Sequence, residues 1–325
     1  MYQVTSKTEF ETVTFGFTND IEIESSYNQL SDTGKITIPR NINFVDDSGA
    51  TITDVTKGEN AVFKRGDSVR ISIGYDHKIV ERFNGVISGV TNKFPLDIRL
   101  DDEMWKLKQN THTFTLENPT LDQLLKKIIP AGVDYKVTKK QTLGDFRVSD
   151  ASTAQILDEL RKKHKIFSWF RGGKLYIGLS YVPELQTRHG FTMYDDIIDG
   201  DSMEYINAFD RKIKVKAISI QDDNSKIEAE AGDADGSTRT LHFNGISDEN
   251  ELLKIAESHV EEYKYDGFDG SFLTFGHQWV EHGDIVDLTN PKIPEQNGSY
   301  IVDKVVTKCG MGGIRQIISI KQRVA

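Results

Sequence analysis

The sequence is poor in the residues that carry covalent and metal chemistry. Its 325 residues include a single cysteine, Cys309, which excludes an internal disulfide and any cysteine-based zinc centre. With no oriented base to name beside it, the lone thiol reads as a buried structural group rather than a nucleophile. No apolar run approaches the roughly 20 residues needed to cross a bilayer. The opening Met1-Tyr2-Gln3-Val4 has neither a basic flank nor an apolar signal core, so folding in the cytoplasm is expected. Positive charge is also short: 40 Lys and Arg stand against 50 Asp and Glu, a formal net charge of -10. That balance argues against the sequence-independent grip on phosphates used by nucleic-acid binders. It permits a different relation, in which a carboxylate-lined pore repels a duplex and lets it slide without sticking.

What is present is ordinary for a soluble globular chain, with 37% hydrophobic and 28% charged residues. The length exceeds the size at which a single core usually stops growing, which predicts two or three domains.

The most informative pattern is a duplication. Phe63-Lys64-Arg65-Gly66-Asp67-Ser68-Val69-Arg70-Ile71 leads through a turn to Phe83-Asn84-Gly85-Val86-Ile87-Ser88-Gly89-Val90. Val280-Glu281-His282-Gly283-Asp284-Ile285-Val286-Asp287-Leu288 leads likewise to Gly298-Ser299-Tyr300-Ile301-Val302-Asp303-Lys304-Val305-Val306. Each copy reads as a Gly-Asp turn, an alternating strand, a loop and a second alternating strand. Gly takes backbone angles other residues avoid, and Asp folds its carboxylate onto nearby backbone N–H groups. Gly66, Asp67, Gly283 and Asp284 are therefore read as structural turn residues.

Short alternating segments such as Gly34–Pro39 and Val69–Ile73, bounded by Gly, Asp and Asn, predict antiparallel strands over residues 1–108, read as a first β-barrel. Over 109–180 the period changes to that of helices, and a strand-helix repeat appears at a spacing of 32 residues: Phe114–Leu125 aligns with Phe146–Leu157. Thr120 with Gln123, and Ser152 with Gln155, have the capping-box spacing. Leu121, Leu124, Leu125, Ile128 and Ile129 form one apolar stripe, and Ile156, Leu157 and Leu160 another. Arg171-Gly172-Gly173 between two short apolar runs predicts a tight primed hairpin. Residues 181–202 read as a connector. Residues 203–325 read as a second β-barrel with one inserted helix starting near Asp248, with Glu251 in capping-box position. The expected fold class is α+β, mainly β, with two similar β-barrel domains and a small α/β module between them.

Candidate chemistry gives way to structural readings. Glu281-His282-Gly283-Asp284 gathers three titratable groups, yet the matching turn of the first copy holds Lys64-Arg65-Gly66-Asp67; the shared residues are the turn formers, not the acid and imidazole. Ala231–Ser237 fails as a calcium loop because Asn244 stands where a closing Glu is needed. Gly310-Met311-Gly312-Gly313 lacks the trailing Lys-Ser or Lys-Thr of a phosphate loop. The histidines, among them His242, His259 and His277, show no ligand spacing. The reading is of no catalytic residue, no cofactor, no metal and no enzyme activity.

Phe63–Val90 with the Asp97–Leu100 strand, the repeated strand-helix module and the closing Gly283–Ile320 unit together resemble the baseplate hub of contractile-tailed phages. That family includes Mu-like tail proteins, late control proteins and the base of type VI secretion spikes. The resemblance implies a structural protein of a phage, prophage or contractile injection system: a homotrimer whose six barrels match a six-fold tail tube above and a three-fold spike below. Its implied partners are the tail tube protein, other baseplate proteins, DNA that passes without specific binding and, since the sequence ends at Ala325 without a spike extension, a separate spike protein. Its implied place is the virion tail baseplate, assembled in the bacterial host cytoplasm, with no membrane segment. The alternative is a tail-associated cell-wall hydrolase or glycan-binding module; the carboxylate pair such an enzyme needs cannot be picked out among 50 acidic residues.

Overall fold

A computed structural model describes residues 3–16, 20–39, 44–45, 51–52, 62–91, 95–200, 202–221, 225–244 and 246–324. Strands dominate. In chain order they begin β1 Val4–Phe10, β2 Thr14–Phe15, β3 Asp20–Ser26, β4 Thr33–Ile38, β5 Phe44–Val45, β6 Thr51–Ile52, β7 Ser68–Tyr75, β8 Lys78–Val90 and β9 Leu96–Asp102. A short helix α1 Met104–Leu107 precedes β10 Thr111–Leu116, α2 Leu121–Ile128, β11 Tyr135–Val137, β12 Phe146–Ser152, α3 Thr153–His164, β13 Phe167–Arg171 and β14 Lys174–Gly178. There follow β15 Arg188–Thr192, β16 Ile197–Asp199, β17 Met203–Ile206, β18 Ile213–Ile220, β19 Lys226–Gly232, β20 Ser237–Asn244, α4 Glu249–Tyr263, β21 Gly267–Phe275, β22 Ile285–Thr289, β23 Gly298–Gly310 and β24 Gly313–Val324. The fold is mainly β with helices added, the α+β class read from the sequence.

Contacts divide the chain into two compact units. The first comprises Met1–Thr187, Leu273–Asp284 and Asp303–Ser319; the second Arg188–Phe272, Ile285–Val302 and Ile320–Ala325.

In the first unit the strand order is β24-β23-β3-β4-β9-β8-β7-β1-β2, with antiparallel pairing from β23 through to β2. No closed barrel is found among the described residues, in place of the two expected. Period-two alternation is common to open sheets and barrels, and closure depends on a pairing between distant ends that alternation does not encode. Alternate residues of β3, β4, β7, β8 and β9 fill the core, with Ile21, Ile36, Ile71, Ile87 and Ile98 sealed from solvent. Gly74 and Gly85 are dictated by close approach: a Cβ would lie 1.9 Å from the Lys78 carbonyl oxygen and 2.1 Å from that of Asp101.

The same unit holds the strand-helix module. Antiparallel β10 and β12 each run into a capped helix. The Gln123 N–H donates to Thr120 Oγ1 (3.3 Å) while Gln123 Oε1 accepts from the Thr120 N–H (2.9 Å); Ser152 and Gln155 repeat this at 3.2 and 2.7 Å. Leu121, Leu124, Leu125 and Ile128 of α2 and Ile156, Leu157 and Leu160 of α3 are buried in one cluster; Ile129 has already left the helix as its extended C-cap. The β13–β14 hairpin turns on Gly172 (φ 59°) and Gly173 (φ 76°), both in the left-handed region that a two-residue primed turn requires.

In the second unit β18 lies between β19, antiparallel to it, and β20, parallel to it. Helix α4 covers one face, burying Leu252 and Ala256 against Val215, Ala217 and Ala229. Asp248 caps α4 by accepting from the Asn250 N–H at 2.9 Å. Residues 181–202, read as a connector, carry β15 and β16, and β15 pairs in parallel with β22.

Candidate functional site

The two Gly-Asp turns have one geometry. In the first, Asp67 Oδ2 accepts from the Lys64 N–H at 2.9 Å and the Asp67 N–H donates to the Lys64 carbonyl at 3.1 Å. In the second, Asp284 Oδ2 accepts from the Glu281 N–H at 3.0 Å and the Asp284 N–H donates to the Glu281 carbonyl at 3.2 Å. Gly66 (φ 97°) and Gly283 (φ 81°) supply the positive φ. The surroundings differ. Asp67 is partly exposed, whereas Asp284 is 3% exposed and its Oδ1 accepts a further bond from the Thr187 N–H at 3.0 Å. The likeness extends into the strand pairs β7–β8 and β22–β23, both antiparallel, and stops at the flanking strand: β1 runs antiparallel to β7, β15 parallel to β22.

Beside the second turn, within the first unit, lies a cavity of about 440 Å³. Its wall includes Asp32, Glu81, Arg82, Asp102, Glu103, Arg171, Trp279 and Glu281, with Phe83 and Phe170 as apolar surface. Strand pairing brings two of the acids together: the Asp102 N–H donates to the Asp32 carbonyl at 3.0 Å, placing both residues where β9 ends and β4 begins. Asp32 accepts from Ser25 Oγ (2.6 Å) and the Ser26 N–H (3.1 Å); Asp102 accepts from Ser31 Oγ (2.7 Å) and the Met104 N–H (3.0 Å). Burial pushes both carboxyls well above the usual carboxylate range, and the Asp102 charge raises Asp32 further. Burial disfavours the charged form of each carboxyl, so the pair retains a proton over a pH range in which ordinary carboxylates have lost theirs.

Two arginines line the same cavity in different ways. Arg82 lays its guanidinium over the Trp279 ring at 4.1 Å, and its buried Nε has no hydrogen-bond partner. Arg171 donates from Nη2 to the His282 carbonyl at 2.8 Å, pairs through Nε with Glu281 at 2.9 Å and stands 5.0 Å from the Trp169 ring. His282 itself is 1% exposed, its imidazole edge-on to Trp169 (5.1 Å) and near Tyr27 (6.2 Å), with neither ring nitrogen hydrogen-bonded. Burial, and then the Arg171 charge, hold it well below the ordinary histidine range.

Of the residues singled out from sequence, Gly283 and Asp284 lie beside this cavity, and Gly66 and Asp67 lie at the start of β7. Cys309 is 2% exposed, and burial pushes its thiol up to about 11, a condition in which the nucleophilic thiolate does not form at neutral pH. Among the described residues no group of three or more His, Cys, Asp or Glu could hold a metal ion, and no helix is long and apolar enough to cross a membrane. The Asp32–Asp102 pair was missed. Its members are 70 positions apart and sit in unremarked Ser-Asp and Asp-Asp steps, so only the β4–β9 register joins them.

No protein-family model and no curated protein sequence matches the chain. Solved structures do. The tail protein from Neisseria meningitidis MC58 superposes with a TM-score of 0.66 at 15% identity, covering 99% of this chain and 97% of that one. The prophage MuSo2 43 kDa tail protein from Shewanella oneidensis gives 0.65 at 13% identity, covering 98% of each chain. An E. coli protein, c3393, described as a component of the type VI secretion system, gives 0.55 at 8% identity, covering 98% of this chain and 79% of that one. From end to end, the chain has the fold of phage and prophage tail proteins.

Proposed function

We propose that the chain is a structural hub of a phage-tail or related contractile-injection baseplate. The observation that carries this is the end-to-end likeness to the Neisseria tail protein, 99% of this chain on 97% of that one. Such coverage leaves no part of the fold unaccounted for by a tail protein. In this reading three copies form a ring in which the segments 1–108 and 203–325 serve as two similar barrel-like seats. The 109–180 module meets other baseplate proteins, and 181–202 joins the halves. The ring adapts a six-fold tube to a three-fold spike carried on a separate protein, and DNA passes its acidic interior without specific binding. The site is the virion tail baseplate, filled by assembly in the host cytoplasm. Gly66, Asp67, Gly283 and Asp284 hold the turns, and no residue does chemistry.

The physical reason for a duplicated motif is symmetry. Three-fold and six-fold rings share an interface only when each subunit of the smaller ring offers two similar surfaces. Light scattering on the purified chain, alone and with the tube protein of the same tail, tests this. A trimer in either condition is expected; a monomer in both overturns the proposal.

One observation favours a second reading, a tail-borne cell-wall hydrolase. The Asp32–Asp102 pair lines a cavity that also has Phe83 and Phe170 in its wall, and burial raises both carboxyls, which suits a protonated carboxyl to serve as a general acid. Release of soluble fragments from peptidoglycan, falling about a hundredfold or more in Asp32→Asn or Asp102→Asn, would establish it. No release from the native protein removes it.

A further inference from the structure

Inside the first unit, His282 occupies a position that only a neutral ring can hold. It is 1% exposed, and neither ring nitrogen has a hydrogen-bond partner. A protonated imidazole carries two N–H donors and a charge, both of which need acceptors or water. The slot supplies neither. Tyr27, from the β3–β4 loop, and Trp169, from β13, present ring faces and edges. The charge that acts on the ring is of the wrong sign: it is that of Arg171, whose Nη2 donates to the His282 carbonyl at 2.8 Å.

The neighbouring acids are already engaged. Glu281 pairs with Arg171 at 2.9 Å, and Asp284 accepts from the Glu281 and Thr187 N–H groups. Asp303 lies against the Tyr27 side of the slot, where burial and then the Asp303 charge raise the Tyr27 phenol. Asp32, across the cavity, keeps the Ser25 and Ser26 bonds. From the segment before β15, Glu184 faces Lys136 at 3.6 Å.

The Arg171 side chain also joins the β13–β14 hairpin to the second Gly-Asp turn. Its two contacts, to the Glu281 carboxylate and the His282 carbonyl, both land on that turn. We propose that Arg171, Glu281 and His282 form an acid-released latch: a proton on the His282 ring drives the imidazole out of the Tyr27–Trp169 slot, carries its carbonyl away from Arg171 and frees the second turn from the hairpin. The device belongs to the folded chain and is independent of the assembly it enters. Failure of the hub reading and failure of the latch are therefore separate results.

Hydrogen exchange read by mass spectrometry on the full chain tests it, with rates corrected for the intrinsic effect of pH. As the pH falls below about 6, exchange in the peptides spanning 167–173 and 279–287 is expected to rise together by about tenfold per pH unit, while β7 and β8 stay protected. His282→Phe, which keeps an aromatic ring in the slot and removes the proton site, is expected to hold both peptides closed through the same range. His282→Gln serves the same purpose if the larger ring disturbs folding. Arg171→Gln removes both contacts that hold the turn and is expected to leave the two peptides open across the whole range, at pH 8 as at pH 5. Opening of the two peptides at unchanged pH in both His282 variants overturns the proposal. So does a native chain whose two peptides stay closed until the whole sheet exchanges.

Discussion

At the scale of single residues, the two aspartates of the Gly-Asp turns make the same bonds in different surroundings, and their loss should differ accordingly. Asp67→Ala removes an acceptor from a partly exposed turn where water replaces it; a loss of about 1 kcal/mol is expected. Asp284→Ala strips two backbone N–H groups, those of Glu281 and Thr187, of their partner beneath a side chain only 3% exposed; a loss of roughly 2–4 kcal/mol is expected. Denaturant titration of the two variants checks the order, and equal losses would mean that burial does not separate the two turns. The Asp32–Asp102 pair predicts a pH effect whose sign follows from its direction. Both carboxyls are raised in the fold, so between the ordinary carboxylate range and their raised values the folded state holds protons that the unfolded chain has released. Their contribution to stability is thus fully present at acid pH and is lost as the pH rises through the folded values. Asp32→Asn, which keeps oxygen and nitrogen near Ser25 and Ser26 but carries no charge, is expected to raise the melting temperature most at pH 8, less at pH 5 and hardly at all at pH 3. A gain at pH 5 equal to that at pH 8 would show that ionisation of the buried carboxyl is not the cause.

At the scale of elements, what was legible in the sequence is what is decided locally. The capping boxes at Thr120 and Ser152 need only four consecutive residues, and both are present with their reciprocal bonds. The Gly172-Gly173 turn is as local, and its two positive φ angles follow from the residues themselves. The illegible part is pairing between distant segments. Nothing in Arg188–Thr192 announces a parallel partner 97 residues further on, and nothing in β20 says that it joins the far side of β18 rather than β19. The carboxyl pair was hidden for the same reason, since the β4–β9 register brings its members together. Locality also grades the two caps. Ser152 is 7% exposed and opens the helix that buries Ile156, Leu157 and Leu160, while Thr120 is exposed. Ser152→Ala is expected to destabilise the chain by about 1–2 kcal/mol and Thr120→Ala by about half as much, measured by urea unfolding; the reverse order would place the anchoring of the module on α2.

At the scale of the whole molecule, the duplicated turn and the differing flanks together constrain the proposed ring. Equivalent surfaces arise from equivalent backbone, and the two hairpins share the turn and one antiparallel pair before diverging, β1 antiparallel beside β7 and β15 parallel beside β22. Three copies of such a chain cannot make six identical seats. They can make six that agree over the shared hairpin and alternate beyond it, because an interface accepts a quasi-equivalent partner only over the surface that both copies reproduce. The consequence is visible by electron microscopy of isolated particles viewed along their axis. Averages at low resolution are expected to show six lobes, and averages at higher resolution to show two kinds of lobe in alternation with strict three-fold symmetry. A ring of six identical lobes, or one with two-fold symmetry, would mean that the duplicated hairpin does not set the seats, whatever the likeness of the fold to tail proteins.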